Sequence, residues 1–244
     1  MLKESRLPGP QANLGLSESF AKFFAHPQLT ESAWELLTHW VDSSEDEVDT
    51  NDPHVFLIFC AVRASGGYYC FAGEERRCEI EGFLKSAMND SRWRLREAAA
   101  MGLQGIGESD FTLLAQLINT WKEGANPLEQ RAFIAALAHP PFLKVQENVQ
   151  YCLDLASEIM NEVLANHGEL GDPEDFRILS KGLEYGLSVF VAYEPEAGFA
   201  MLRSYAKSTD SRIIKILKSN LGKARLSKKY APQVAEILLD LTTN

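Results

Sequence analysis

Two side chains four residues apart, Trp93 and Glu97, have the types and the spacing of a small binding site. Residues four apart are neighbours on a helix, so the indole ring and the carboxylate would lie side by side. An aromatic ring beside a carboxylate could hold a cationic base. The alternative interpretation is a tryptophan packed at the edge of a helical repeat, next to a glutamate that faces solvent.

Arg96 precedes Glu97 and borders the apolar face of the same predicted helix. An arginine at such a position can pair with a carboxylate of a neighbouring loop, through charge-assisted hydrogen bonds. Asp90, Glu129 and Asp172 are the candidate partners.

A basic segment near the C-terminus could also bind phosphates. Residues 203–244 carry 9 Lys+Arg and 3 Asp+Glu, a net charge of +6, whereas residues 1–202 carry 15 and 31, a net charge of −16. Phosphate neutralisation supplies most non-specific affinity for nucleic acid, so the acidic body disfavours such binding and the basic segment allows a local exception. The alternative is a polar capping repeat that keeps a repeat array soluble. The candidate phosphate-binding residues here are Arg212, Lys215, Lys218, Lys223 and Arg225.

No spacing in the sequence indicates a metal site, a cofactor or a known catalytic motif. The four cysteines form no C-x-x-C pair, so reduced thiols are the simplest interpretation. The acidic segment Asp42–Asp52 lacks the glycine and the terminal glutamate of a calcium-binding EF-hand loop, and we predict a solvated loop. The phosphate-binding loop, the dinucleotide-binding glycine motif and the nucleophile elbow are absent. We therefore predict no metal, no cofactor and no catalytic residue.

These candidate residues lie in a sequence whose apolar periodicity predicts helices and no strand. The stretch Asp90–Lys122 reads as two antiparallel helices, and its glycines would let a neighbouring helix approach closely. Gly66-Gly67, in contrast, is predicted to end the preceding apolar helix. The predicted buried face of the first helix in this stretch consists of Leu95, Ala99, Gly102, Leu103 and Ile106.

Helix pairs recur along the whole chain. They begin near residues 52, 90, 126, 172 and 210, at spacings of 38, 36, 46 and 38 residues. Such spacings are typical of α-solenoids of the HEAT or armadillo kind. We predict an all-α superhelix of about six antiparallel helix pairs, as a single domain over residues 17–244 after a flexible lead-in at residues 1–16. Asp210-Ser211-Arg212 repeats Asp90-Ser91-Arg92 at the head of a helix, 120 residues later.

Three short motifs resemble the DNA alkylation repair glycosylase branch of the HEAT-like proteins, over roughly residues 89–238. They are Trp93-x-x-Arg96 with Ala98-Ala99 and Leu103, then Gln130-Arg131-Ala132, and finally Asn220–Leu226. The resemblance implies that Arg96 faces the DNA backbone, and it makes Arg131 a further candidate contact. In that family the preceding repeat presents a tryptophan and, four residues on, a catalytic aspartate. Residues 54–63 offer neither, so the resemblance does not extend to the residues of base excision.

From these patterns we predict a cytoplasmic binding or scaffold protein without catalysis. Its solenoid surface would bind a protein or peptide, and the acidic body favours a basic partner. The alternative hypothesis is a DNA-binding protein related to alkylpurine DNA glycosylases, with phosphate contacts from Arg96 and the basic C-terminal repeat. Any enzymatic activity would then be of the glycosylase kind. No apolar run is long enough for a membrane span, so no membrane partner is predicted.

Overall fold

A computed structural model describes residues 1–42, 49–166 and 172–243 of the chain. Within these ranges the protein has 77% helix, no strand and thirteen α-helices that pack against one another, which confirms the all-α prediction. None of these described helices combines the length and the apolar character that crossing a bilayer requires. Residues 43–48 of the predicted acidic loop lie outside the described ranges.

The chain divides into two compact units, Met1–Thr120 and Trp121–Asn244. In the first unit α3 packs against α1 on one side and against α5 on the other, while α2 and α4 pack behind this row. Its helices are α1 (Leu14–Phe24), α2 (Glu31–Asp42), α3 (Val55–Tyr68), α4 (Glu74–Met88), α5 (Trp93–Ser109) and α6 (Phe111–Trp121), with 3-10 turns at Leu2–Glu4 and Tyr69–Phe71.

The second unit repeats this arrangement. Its central helix α9 packs between α7 and α11, and α8, α10 and α13 pack against one another in sequence order behind them. Its helices are α7 (Pro127–Leu137), α8 (Gln146–Ala165), α9 (Pro173–Tyr193), α10 (Pro195–Tyr205), α11 (Ser211–Leu221), α12 (Ala224–Ser227) and α13 (Ala231–Thr243), with a 3-10 turn at Phe142–Lys144.

The helices α1, α7, α9 and α11 start after side-chain caps that satisfy free amides of the first turn. Asn126 and Glu129 form a reciprocal capping box at the start of α7, with Pro127 in the first helical position. Asp172 caps α9 in front of Pro173. Asn13 caps α1, which therefore begins inside the predicted lead-in. The flexibility of residues 1–16 and the single-domain assignment stay predictions.

A close approach of two helix backbones joins α3 to α5 in the first unit. All five residues of the predicted buried face of α5 are buried, and Gly102 lies directly against Gly66 of α3. A Cβ added to Gly66 would lie 2.5 Å from the Gly102 Cα atom. The predicted close approach is confirmed, and the helix end predicted at Gly66-Gly67 lies within one residue of the observed end at Tyr68. The helix continues to Tyr68 because these glycines form its contact surface.

A buried side chain, Asn220, joins α11 to α9 in the second unit. Its Oδ1 atom accepts a hydrogen bond from the Ser188 amide at 2.7 Å. Its Nδ2 atom donates to the carbonyls of Leu183 at 2.9 Å and of Ile216 at 2.8 Å. A side-chain amide that is fully buried thus has its donors and its acceptor satisfied by helix backbone.

Candidate nucleic-acid interface

Side chains from four helices meet around one turn of α9, Lys181–Tyr185. Because α9 is packed between α7 and α11, little of its surface remains exposed in this region. Lys181 and Tyr185 are four residues apart and both exposed, so they lie side by side on that surface. Charged residues of the neighbouring helices contact this turn.

The buried charged residue of this turn is Glu184, which binds two lysines. Its Oε2 atom lies 3.1 Å from Lys181 Nζ, and its Oε1 atom lies 3.0 Å from Lys215 Nζ of α11. Ser180 donates a further hydrogen bond to Oε1 at 3.1 Å. Burial alone would raise the pKa of Glu184, but the hydrogen bonds from Lys215, Lys181 and Ser180 together hold that pKa below its ordinary value. Glu184 is therefore an ionised anchor for two cations.

This lowered pKa gives a pH-dependent contribution to stability. A carboxylate whose folded-state pKa is depressed stabilises the fold above its ordinary pKa of 4.5, and that contribution is lost as pH falls through the folded-state pKa. We expect Glu184→Gln to lower the free energy of unfolding by about 1 kcal/mol at neutral pH, since both lysines are largely exposed. Urea unfolding from neutral to acidic pH should show the difference from wild type shrinking below pH 4.5.

The matched control for Glu184→Gln is Glu174→Gln. Glu174 pairs with Arg177 at 2.5 Å on the exposed start of the same helix. Surface pairs of this kind contribute little, so this variant should unfold like wild type at every pH. A pH-independent difference between Glu184→Gln and wild type would contradict the assigned role of Glu184.

Arg131 reaches the same turn of α9 from the neighbouring helix α7. A Cβ added to Gly182 would lie 3.1 Å from the Arg131 Cγ atom, so the aliphatic stem of Arg131 crosses α9 at this glycine. A side chain at position 182 would push the stem away. Gly182 thereby lets the stem of Arg131 on α7 pack directly against this turn of α9.

Arg225 reaches the turn from the opposite side. Its guanidinium carbon lies 4.7 Å from the centre of the Tyr185 ring, a cation–π contact. Arg225 belongs to the short helix α12, which packs against α9 and is anchored by the buried Leu226. Lys223, at the N-cap of α12, precedes Arg225 by two residues.

We define the basic face as six cations and the two α9 residues that organise them. Lys218 belongs to it because it is exposed on α11 one turn after Lys215, beside Ser219, whose hydroxyl donates to the Glu184 carbonyl at 3.2 Å. The face therefore carries six positive side chains and one carboxylate. Its members are Arg131, Lys181, Lys215, Lys218, Lys223, Arg225, Glu184 and Tyr185.

Arg212, a predicted phosphate ligand, binds protein groups instead. Its Nη2 atom lies 2.6 Å from Asp210 Oδ2 and 2.7 Å from the Val163 carbonyl, and its Nε atom lies 3.0 Å from Asp210 Oδ1. Asp210 also caps α11 by accepting from the Arg212 amide. Asp90 and Arg92 form the same local pair, at 2.7 Å. The repeated Asp-Ser-Arg motif thus builds a helix start.

The predicted site of the first unit lies on α5. Arg96 Nη1 donates to the carbonyls of Asp90 at 2.6 Å and of Ser91 at 2.9 Å, in the loop that precedes its own helix. Trp93 is 44% exposed, and the guanidinium carbon of Arg94 lies 4.4 Å from the centre of its ring. Trp93 and Glu97 occupy the exposed side of α5, one turn apart.

Of the seven residues predicted to contact nucleic acid, the structure gathers Arg131, Lys215 and Arg225 around one turn of α9. Lys218 follows Lys215 by one turn on α11, and Lys223 is the N-cap of α12. Arg96 lies in the other unit, and Arg212 is held by Asp210. Lys181 and Tyr185 were not predicted, because an exposed lysine and tyrosine on a helix carry no distinctive sequence signal. Their spacing of four residues was the available indication.

Among the described residues, no three His, Cys, Asp or Glu side chains lie close enough together to hold a metal ion. Comparison of the chain with protein-family models, with curated proteins and with solved structures finds no match.

Proposed function

We propose that this chain is a non-enzymatic binding protein built as an α-solenoid of the HEAT-like kind. In each unit, alternate helices of the chain pack against one another in a row. The row consists of α1, α3 and α5 in the first unit and of α7, α9 and α11 in the second. Stacked helix pairs produce such rows, and they present long continuous surfaces to partners. The repeated spacing of the helix pairs supports the same proposal.

For the partner, we propose nucleic acid, bound through its phosphates at the basic face. The observation that carries this proposal is the convergence of Arg131, Lys215 and Arg225, from three helices, on one turn of α9. Cations grouped on one surface neutralise adjacent phosphates and release counterions, which supplies sequence-independent affinity. The formal net charge of the whole chain is −10, so this surface would also orient the protein toward a polyanion.

The chemistry of Glu184 supports binding rather than catalysis. A general acid needs a pKa near the working pH, and a general base needs a lone pair that can reach the substrate. Glu184 has a lowered pKa, is only 10% exposed at its side chain, and shares its two oxygens with Lys181 and Lys215. It positions cations and is poorly placed to transfer a proton.

The test of this proposal is a charge reversal at Lys218 and Lys223. These two members of the basic face form no ion pair with any residue that the structure describes. We expect Lys218→Glu with Lys223→Glu to weaken binding to a short DNA duplex by about 10- to 100-fold at about 50 mM salt, because two phosphate contacts become repulsive. Fluorescence anisotropy with a labelled duplex of mixed sequence measures the affinity.

The matched control reverses a lysine outside the basic face. Lys207 is exposed just beyond the end of α10, which packs against α8, α9 and α13 and is not itself a member of the row of α7, α9 and α11. Lys207→Glu should change duplex affinity less than twofold. Salt screens the attraction between a distant lysine and the phosphates, so its loss costs much less than the loss of a direct phosphate contact. An equal loss of binding free energy per reversed lysine in the two variants would show that only net charge matters and would contradict a defined interface.

A protein or peptide partner is the second candidate, and the exposed side of α5 favours it. Trp93 and Glu97 are continued along the helix by Met101 and Glu108, an acidic and partly apolar stripe suited to a basic peptide. Binding of a labelled Lys/Arg-rich peptide to wild type and to a Trp93→Ala, Glu97→Gln variant tests this candidate. Identical affinities for the two proteins would exclude this surface.

A further inference from the structure

The basic face has one aromatic member, Tyr185. It is 51% exposed, although it lies on α9, the helix that is packed between two neighbours. Arg225 covers one face of the ring at 4.7 Å, and about half of the residue's surface is exposed in spite of this contact. An exposed aromatic ring near cations suits a ligand that has both a flat surface and negative charge.

Single-stranded nucleic acid has this combination. An unpaired base offers a flat π face to an aromatic side chain, and the adjoining phosphates reach nearby cations. In a duplex the bases are already stacked and paired, so a tyrosine on a helix surface reaches only the backbone. Lys181 lies one helical turn before Tyr185, and Lys215 is joined to Lys181 through Glu184. Cations thus flank the ring on two sides.

We infer that Tyr185 is a stacking platform for an unpaired base, and that the basic face binds single strands in preference to duplexes. This inference rests on the proposed nucleic-acid function. The inference places the base on the ring face opposite Arg225, where stacking would add to the cation–π contact. Stacking needs no particular base, so the preference is for strandedness rather than for sequence.

The simpler role for Tyr185 would be to support Arg225 and nothing else. Both roles use the ring, but they predict different results for different nucleic acids. A support for Arg225 would affect a phosphate contact, which single strands and duplexes share. A stacking platform would affect single strands alone, because only they have bases free to stack.

The experiment uses the full chain and two labelled probes, an oligothymidylate of about 12 nucleotides and a mixed-sequence duplex of matching length. Affinities are measured by fluorescence anisotropy at about 50 mM salt, where phosphate contacts are strong. We expect Tyr185→Ala to weaken binding of the single strand by about 5- to 100-fold and of the duplex by less than twofold. Tyr185→Phe, which keeps the ring, should bind both probes like wild type.

The control is Tyr193→Ala, which removes another exposed tyrosine near the C-terminal end of the same helix. It should leave both affinities unchanged. Equal losses of single strand and duplex in Tyr185→Ala would assign Tyr185 to the support of Arg225 and overturn the inference, as would a wild-type protein that prefers the duplex. A wild-type protein that binds neither probe would overturn the proposed function itself. Both tyrosines are exposed, and matching circular dichroism spectra would verify that the variants are folded.

Discussion

Gly66→Ala is expected to lower the free energy of unfolding by about 3 kcal/mol or more, through one added methyl group. The Cβ atom would meet the backbone of Gly102 rather than a side chain that could rotate away. The collision can be relieved only by moving α3 and α5 apart, and these two helices form the most extensive helix contact of the first unit. Such a movement would open gaps around buried neighbours of this contact, such as Leu103 and Ile106.

Urea unfolding of Gly66→Ala and of Gly82→Ala measures this effect against a matched control. Gly82 lies in the exposed interior of α4, and a Cβ there would have no atom within 4 Å. Replacing an exposed helical glycine by alanine reduces the freedom of the unfolded chain and should raise stability by up to about 1 kcal/mol. The two substitutions are chemically identical, so effects of the same sign would contradict the close backbone contact.

Replacement of Asn220 should have the second large effect. We expect Asn220→Leu to lower the free energy of unfolding by about 3 kcal/mol, because the buried amide of Ser188 and the carbonyl of Leu183 each lose a partner. Leucine has a similar volume, so the loss would come from unsatisfied polar groups rather than from a cavity. The end of α11 and the start of α12 would loosen with it, and Arg225 belongs to α12.

The control for this prediction is Ser219→Ala at the adjacent position. Ser219 makes a single hydrogen bond to the carbonyl of Glu184, at a partly exposed site. Water can replace that partner, so a loss below about 1 kcal/mol is expected. If Asn220→Leu unfolds at the same urea concentration as Ser219→Ala, the buried hydrogen bonds do not contribute as assigned.

The helices could be predicted from the sequence, because each has to bury one face with a period of 3.6 residues. The predicted face of α5 from Leu95 to Ile106 is buried throughout. The end of α3 was predicted to within one residue, but the packing role of Gly66 was not predicted, because glycine ends a helix in one context and allows close helix packing in another. Only the tertiary position of Gly102, opposite Gly66, distinguishes the two cases.

The candidate site was less predictable, since its members come from helices far apart in the sequence. A count of Lys and Arg found the basic segment but did not indicate which side chains share a surface. Arg212 illustrates the difficulty: it belongs to the basic segment, yet Asp210 holds it two residues away. That spacing was visible in the sequence and indicated a local ion pair. Tyr185 gave no such indication, because its neighbour Arg225 is forty residues distant.

The most direct test of a phosphate-binding basic face is the salt dependence of duplex affinity. If about four cations of the face contact phosphates, the logarithm of the association constant should fall with the logarithm of salt concentration at a slope of about −3 to −4. The Lys218→Glu, Lys223→Glu variant should show a slope smaller in magnitude by about 2, and Lys207→Glu should keep the wild-type slope. A wild-type affinity that does not change with salt, or no binding at about 50 mM salt, would contradict a nucleic-acid interface at this surface.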